Sequence, residues 1–320
     1  MALASRPAAG LPSVVHLVRR GTPLAVLERF LESYRRNEAG VEHRFVLLCK
    51  GFESADELAP VLERLDGLRA ERIDVPDDGY DLTAYRRAAE RLDGVACYLN
   101  SNSVLLCPGW LEQLVAALVP GVGIAGATGS WNSAHSNARY LLRVPGAYTA
   151  VFPDRAWHRA QSRRLPRDDA ATSAFASALA RPPLRYLRTS YSLGRSLAMF
   201  REFPAAHVRT NAFAIRSETM RRLRMPRLRN KTRAWQLESG RGSITEQIRS
   251  GGLEALIVGR GGSRYHPPEW ADSDTLWQAD QGELLVADNQ TERYRLGDLD
   301  LRTLLSKVAW GSKARPRTPS

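Results

Sequence analysis

A chain of 320 residues, 43% of them hydrophobic, can bury the core of one large or two modest domains. The net charge of +12 calls for an anionic partner: nucleic acid, phospholipid headgroups or a nucleotide diphosphate. Arginine-rich coding bias accounts for the excess equally well. No apolar run reaches the ~18 residues of a membrane span, and MALASRPAAGLP at the start lacks a signal peptide's apolar stretch, so a cytoplasmic protein is expected.

Residues 1–12 read as a loose, disordered arm. Val14–Val18 is a strand with an exit loop at Arg19–Pro23. Next comes a helix carrying Leu24, Leu27, Phe30, Leu31 and Tyr34 on one face. His43–Cys49 is a strand ending in Lys50. Ser54 and Glu57 have the spacing of a capping box at the head of a second helix. Arg72–Val75 is a third strand, running into Asp77, Asp78 and Asp81, and residues 82–92 form a helix. Cys49, Cys97 and Cys107 lie in or beside apolar runs, at no zinc spacing, as buried thiols would.

Val95–Leu99 is a buried central strand that stops at the polar turn Asn100-Ser101-Asn102-Ser103, before a helix led by Trp110. The β-α-β-α-β-α-β alternation calls for a parallel sheet. Ligands of such sheets sit at the carboxyl ends of the strands, so Asn100 and Asn102 are expected to point into a site. Arg19, Lys50 and Asp81 are expected beside them. The cations suit phosphate oxygens, and carboxylates or amides suit a base and ribose. Asp77 and Asp78 reach the same exit, either as further members of the site or as turn residues before Gly79. No G-x-G-x-x-G follows the first strand and no G-x-x-x-x-G-K occurs, which argues against a dinucleotide-binding dehydrogenase and a P-loop NTPase.

Val122–Ala127 is a further strand, leading to Trp131, a residue placed either to stack on a sugar ring or to close the core. Residues 134–200 read as a helical insertion with a basic cluster at Arg159, Arg163, Arg164 and Arg167. Val208–Ile215 reads as a strand bearing Arg209 and Asn211. Arg221, Arg222, Arg224, Arg227 and Arg229 then form the densest positive patch. Glu238 precedes a helix at Ser243–Arg249, a strand at Leu253–Val258, and then His266 and Trp270. Asp288 and Asn289 resemble a turn. Arg302–Trp310 is the last helix, before a basic, disordered tail at 311–320.

The strand-turn-helix at 95–115 resembles the GT-A glycosyltransferases, especially the family-2-like ones, over residues 13–133 and 203–270. Their central strand ends in an acidic D-x-D-type turn; here the turn is N-S-N, and Asn102 stands where an acid usually touches the metal. The resemblance implies an α/β, Rossmann-like, mostly parallel sheet with helices on both faces. A single domain would span 13–310: a nucleotide-binding half at 13–133, the insertion at 134–200 and an acceptor half at 201–310.

It further implies a nucleotide-diphospho-sugar donor and a hydroxyl acceptor on a glycan or lipid-linked molecule. Arg19, Lys50, Asp81, Asn100 and Asn102 would hold the donor. Trp131, Arg209, Asn211 and Trp270 would border the acceptor, and Glu238 would be the general base. A divalent ion, Mn or Mg, would be held through Asn102 and His266. Bacterial polysaccharide or glycolipid assembly, with peripheral contact at the inner face of the membrane, would be the setting. A non-catalytic module of the same fold and a nucleic-acid-binding protein are the rival readings.

Overall fold

The computed structural model describes residues 10–136, 198–228 and 230–317. The chain divides into two compact units, residues 1–132 with 206–320, and residues 133–205. In the second unit, Phe203 N donates to Ser136 Oγ at 2.7 Å, and the Phe203–Pro204 peptide is cis. Most of the expected insertion, with its basic cluster, lies outside the described residues, as do residues 1–9 of the arm and 318–320 of the tail.

The first unit is built on an eight-stranded sheet. Its strands are β1 (Ser13–Arg19), β2 (Arg44–Lys50), β3 (Ala70–Val75), β4 (Val95–Leu99), β6 (Val122–Gly126), β9 (Ala212–Arg216), β10 (Glu254–Val258) and β11 (Arg264–Tyr265). Their spatial order is β11-β10-β6-β9-β4-β1-β2-β3. β1, β2, β3 and β4 pair in parallel, and so do β6 and β10; β9 and β11 run against their neighbours. The sheet is therefore mostly parallel. The central strands are nearly continuous apolar runs because both their faces are covered.

Helices α1 (Leu24–Arg36), α2 (Ala55–Glu63), α3 (Asp81–Ala89) and α4 (Trp110–Ala116) alternate with these strands. α1 buries Leu27, Phe30 and Leu31, the face expected from its spacing. Ser54 Oγ accepts from Glu57 N at 3.3 Å, while the Glu57 side chain turns to Glu53 N at 3.0 Å. The capping pair is thus offset by one residue on its return bond.

The run 208–215 is not one strand. β8 (His207–Val208) pairs with β7 (Gly129–Ser130), whereas β9 enters the main sheet, so residues 209–211 form a corner between two sheets. β5 (Val104–Leu105) and β12 (Val286–Ala287) make a third, small pairing. Beyond β9 come α5 (Ser217–Arg222), α6 (Lys231–Ser239), α7 (Ile244–Ser250), α8 (Asn289–Leu296) and α9 (Leu299–Trp310).

α6 was not legible in the sequence. It buries only Leu237, and Asn230 caps it by accepting from Arg233 N at 3.0 Å. Glu238 therefore closes a helix and does not open one. The tail expected to be unordered from Gly311 packs down through Arg317. Lys313, Arg315 and Arg317 alternate along it and meet Asp272 at 3.5 Å, Asp274 at 3.0 Å and Asp280 at 2.6 Å. Buried Gln278 fixes the same segment, its Oε1 accepting from Arg315 N at 2.6 Å and Ser306 Oγ at 2.7 Å.

α3 and α5 hold each other's carboxyl ends. Arg86 on α3 donates to Met220 O at 2.7 Å, and Arg221 on α5 donates to Ala89 O at 2.8 Å and Leu92 O at 2.9 Å. These guanidinium groups satisfy carbonyls that a helix end leaves open.

His16 on β1 is buried and stacked on Phe30, ring centroids 3.6 Å apart. Burial pushes its pKa down to about 3 from the ordinary 6.5. The neutral ring belongs to the fold, so this contribution is complete above pH 6.5 and is lost as pH falls toward 3. Urea unfolding between pH 7.5 and 4.5 should show His16→Leu losing stability less steeply than the wild type, by about 1.4 kcal/mol per pH unit below 6.5. Parallel slopes for the two proteins would mean the ring is not held neutral.

Candidate functional site

β1, β2 and β3 end side by side, with Arg19 opposite Lys50 and Lys50 opposite Val75. Their exits enclose a cavity of about 480 Å³ lined by Arg19, Arg20, Lys50, Asp77, Tyr80 and Asp81, among others. Arg19 is paired with Asp81, and Lys50 with Asp77. The Lys50 side chain is only 5% exposed, against 73% for Asp77, so a buried ammonium depends on a carboxylate at the rim. Gly51, at φ +82°, allows this approach: a Cβ there would lie 2.8 Å from Asp77 Cβ. Arg20 turns to Glu53 at 2.6 Å and Glu57 at 2.7 Å. Asp78 is bound to Arg87 at 2.7 Å, a bond that holds its carboxyl below the usual range.

Arg19, Lys50 and Asp81 are thus brought together, joined by Asp77, which the sequence left open between a turn residue and a member of the site. Asn100 and Asn102 do not line this cavity. Asn100 Oδ1 accepts from Asn102 N at 3.0 Å and Ser103 Oγ at 3.2 Å, so its carbonyl builds the turn and does not reach outward. Ser101 Oγ ties the turn to Leu17 O at 2.8 Å. Asn102 is half-buried.

The turn is joined to the corner at 209–211. Asn100 N donates to Asn211 O at 2.9 Å, and Thr210 N and Oγ1 both donate to Glu238 Oε1 at 3.0 Å. Glu238 Oε2 accepts no bond from the described residues. Arg209 donates to Asp288 at 2.7 Å, and Asn211 Oδ1 accepts from Thr128 Oγ1 at 2.8 Å. Tyr85, on α3 one turn beyond Asp81, is fully buried against Tyr98 and Phe213. Burial raises its hydroxyl well above the ordinary range, and the Asp81 and Glu238 carboxylates push it the same way.

Three expected residues do not join this group. Trp270 is fully buried and its indole donates to Tyr265 O at 2.9 Å. Trp131 donates to Pro267 O at 2.8 Å and stands edge-on to Trp310. Both indoles are packing groups, with no open face given to an acceptor ring. His266 is exposed and pairs at 3.4 Å with Glu254, the first residue of β10. β11 runs back along β10, so it carries His266 toward the sheet edge opposite Asn100.

These positions do not suit a divalent ion. The turn offers two neutral amides, one with its oxygen already engaged, and His266 lies toward the other edge. Among the described residues, no group of three His, Cys, Asp or Glu side chains is placed to hold a metal.

The basic patch is divided: Arg221 turns inward, whereas Arg222, Arg224 and Arg227 are exposed. Arg221 caps α3, Arg222 pairs with Glu218 at 2.6 Å, and Arg229 lies outside the described residues. Thr210 and Asp288 were missed as site residues. Asp288 and Arg209 are 79 positions apart, and no local pattern announces such a pair.

No protein-family model matches the chain, and no curated protein does. Among solved structures it resembles the galactosyltransferase LgtC in complex with donor and acceptor sugar analogs, at 12% identity over 86% of each chain with a TM-score of 0.43. It also resembles glucosyl-3-phosphoglycerate synthase from Mycobacterium tuberculosis in complex with Mn2+, UDP and phosphoglyceric acid, at 19% identity over 37% of this chain and 43% of that one, TM-score 0.29. GalNAc-T7 with UDP, GalNAc and Mn2+ matches at 17% identity over 38% of this chain and 23% of that one, TM-score 0.30. The match spans less than half the length of the synthase and of GalNAc-T7. Likenesses this slight carry no argument about function. The fold rests on its own strand order.

The buried ammonium gives a direct test. Asp77→Ala strands the Lys50 charge, whereas Lys50→Met removes it and keeps an apolar stem of similar length. Thermal melts should show Asp77→Ala with the larger fall in Tm. The reverse order would mean that Asp77 is not the counter-charge of Lys50.

Proposed function

We propose that the chain is a glycosyltransferase that moves a sugar from a nucleotide-diphospho-sugar to an acceptor hydroxyl, with inversion. One observation carries the reading: a glutamate with an uncommitted oxygen stands on the corner that backs the amide turn, on the strand-end edge that also bears a cavity of paired cations and carboxylates. The sequence resemblance at 95–115 supports it independently.

In this reading Glu238 Oε2 takes the proton of the acceptor hydroxyl as that oxygen attacks the anomeric carbon. The bond from the anomeric carbon to the diphosphate oxygen breaks, and the nucleotide diphosphate leaves with the electron pair. Arg19 and Lys50 meet its charge, exchanging their contacts with Asp81 and Asp77 for phosphate oxygens. The carboxylates so released are placed to accept from ribose or base. Asn211 and Arg209 border the acceptor. A glycan or lipid-linked acceptor and work at the cytoplasmic face of a membrane, in polysaccharide or glycolipid assembly, complete the proposal.

A non-catalytic module of the same fold is the second reading. It is favoured by the engaged carbonyl of Asn100 and by the amide at Asn102. Thermal-shift titration with UDP, GDP and dTDP, each with and without Mn2+, should give a stabilising ligand. With the matching nucleotide sugar, Glu238→Gln should lower turnover about 10²–10⁴-fold while leaving nucleotide affinity nearly unchanged. Binding with no turnover by the wild type would favour the non-catalytic module, and no binding by any nucleotide would remove the donor site.

A further inference from the structure

Arg209 and Asp288 form the most deeply buried ion pair among the described residues, with side chains 14% and 1% exposed. Asp288 also caps α8, its Oδ1 accepting from Gln290 N at 3.0 Å and Thr291 N at 2.9 Å. A cap needs no charge, since asparagine or serine serves as well. Buried charge pairs are also weak stabilisers compared with apolar side chains of the same volume. The capping role therefore accounts for one oxygen of Asp288 and leaves the other, the one bound to Arg209, unexplained.

The partner it holds is the first residue of the corner. Arg209 N donates to Thr128 O at 3.0 Å, and its guanidinium reaches Thr128 Oγ1 at 3.4 Å. Thr128 in turn holds the side chain of Asn211, whose buried Nδ2 has no hydrogen-bond partner. Glu238 hangs from Thr210 between them. The other carboxylate here, Glu238, is bonded to Thr210, and the ion pair of Arg209 is with Asp288, so the direction of the guanidinium is set from Asp288.

We propose that Asp288 is a positioning residue for the transfer: by fixing Arg209, it fixes the three-residue corner that carries Glu238 and backs the amide turn. This rests on the glycosyltransferase reading. The acidic cap and the general base are thereby parts of one construction, although 50 residues separate them in sequence on the order given by their numbers.

Two variants test it. Asp288→Asn keeps the cap but strands the arginine, and is expected to lower Tm. Arg209→Met combined with Asp288→Asn removes both charges, and is expected to return Tm toward the wild type. The readout is hydrolysis of UDP- and GDP-hexoses, with water as acceptor, beside hydrogen exchange at the Thr210 and Asn211 amides. Both variants should lose at least about tenfold in kcat with little change in donor KM, and the double variant should still exchange faster at the corner. A double variant that recovers both Tm and kcat would overturn the positioning role and leave the pair as packing. A wild type that turns over no nucleotide sugar, although folded, would instead sink the transferase reading on which this one stands.

Discussion

Glu238 is held by a single carboxylate oxygen, which takes both the amide and the hydroxyl of Thr210 at 3.0 Å. That contact fixes more than one side chain. Thr210 lies where the chain leaves β8 and has not yet entered β9, so the glutamate is pinned to a change of sheet. Because β9 runs against β4, its first residue, Ala212, stands beside Leu99. The end of α6 and the end of the central strand therefore meet at one place, although the sequence keeps them far apart.

The same edge explains how the positive charge is used. The sequence suggested an outward-facing surface for nucleic acid or lipid. In the fold, Arg86, Arg216 and Arg221 face inward onto main-chain carbonyls and Arg209 onto a buried acid, while Arg222, Arg224 and Arg227 stay exposed. An arginine serves both purposes well, because its fork can satisfy two carbonyls or two carboxylate oxygens in fixed geometry. The excess charge thus says less about a partner than its size suggests. At the cavity, Arg19 and Lys50 are each paired with an aspartate.

Much of the scaffold was legible because it obeys periodicity. β1, β2 and β4 are nearly continuous apolar runs, and Leu27, Phe30 and Leu31 fall on one helical face. Arg19, Lys50 and Asp81 could be grouped because parallel strands must end together. What escaped the sequence has physical reasons too. α6 is polar on most sides and buries one leucine, so it carries no stripe to read. The break at 209–211 lies inside a run that alternates like a strand. Trp131 and Trp270 looked suited to a sugar, but aromatic rings fill cores as readily as they line sites, and only their bonded indoles decide it. Asp288 read as a turn because a cap and a turn use the same residue types.

The mutual grip of Arg86 and Arg221 bears on how the two halves of this edge communicate. α3 begins at Asp81 in the cavity wall, and α5 continues directly from β9. Clasped tail to tail, the two helices join the cavity wall to the far end of β9 through paired guanidinium contacts. The helix that starts at the cavity and the strand that starts at the corner are thereby fastened to each other at the ends away from both.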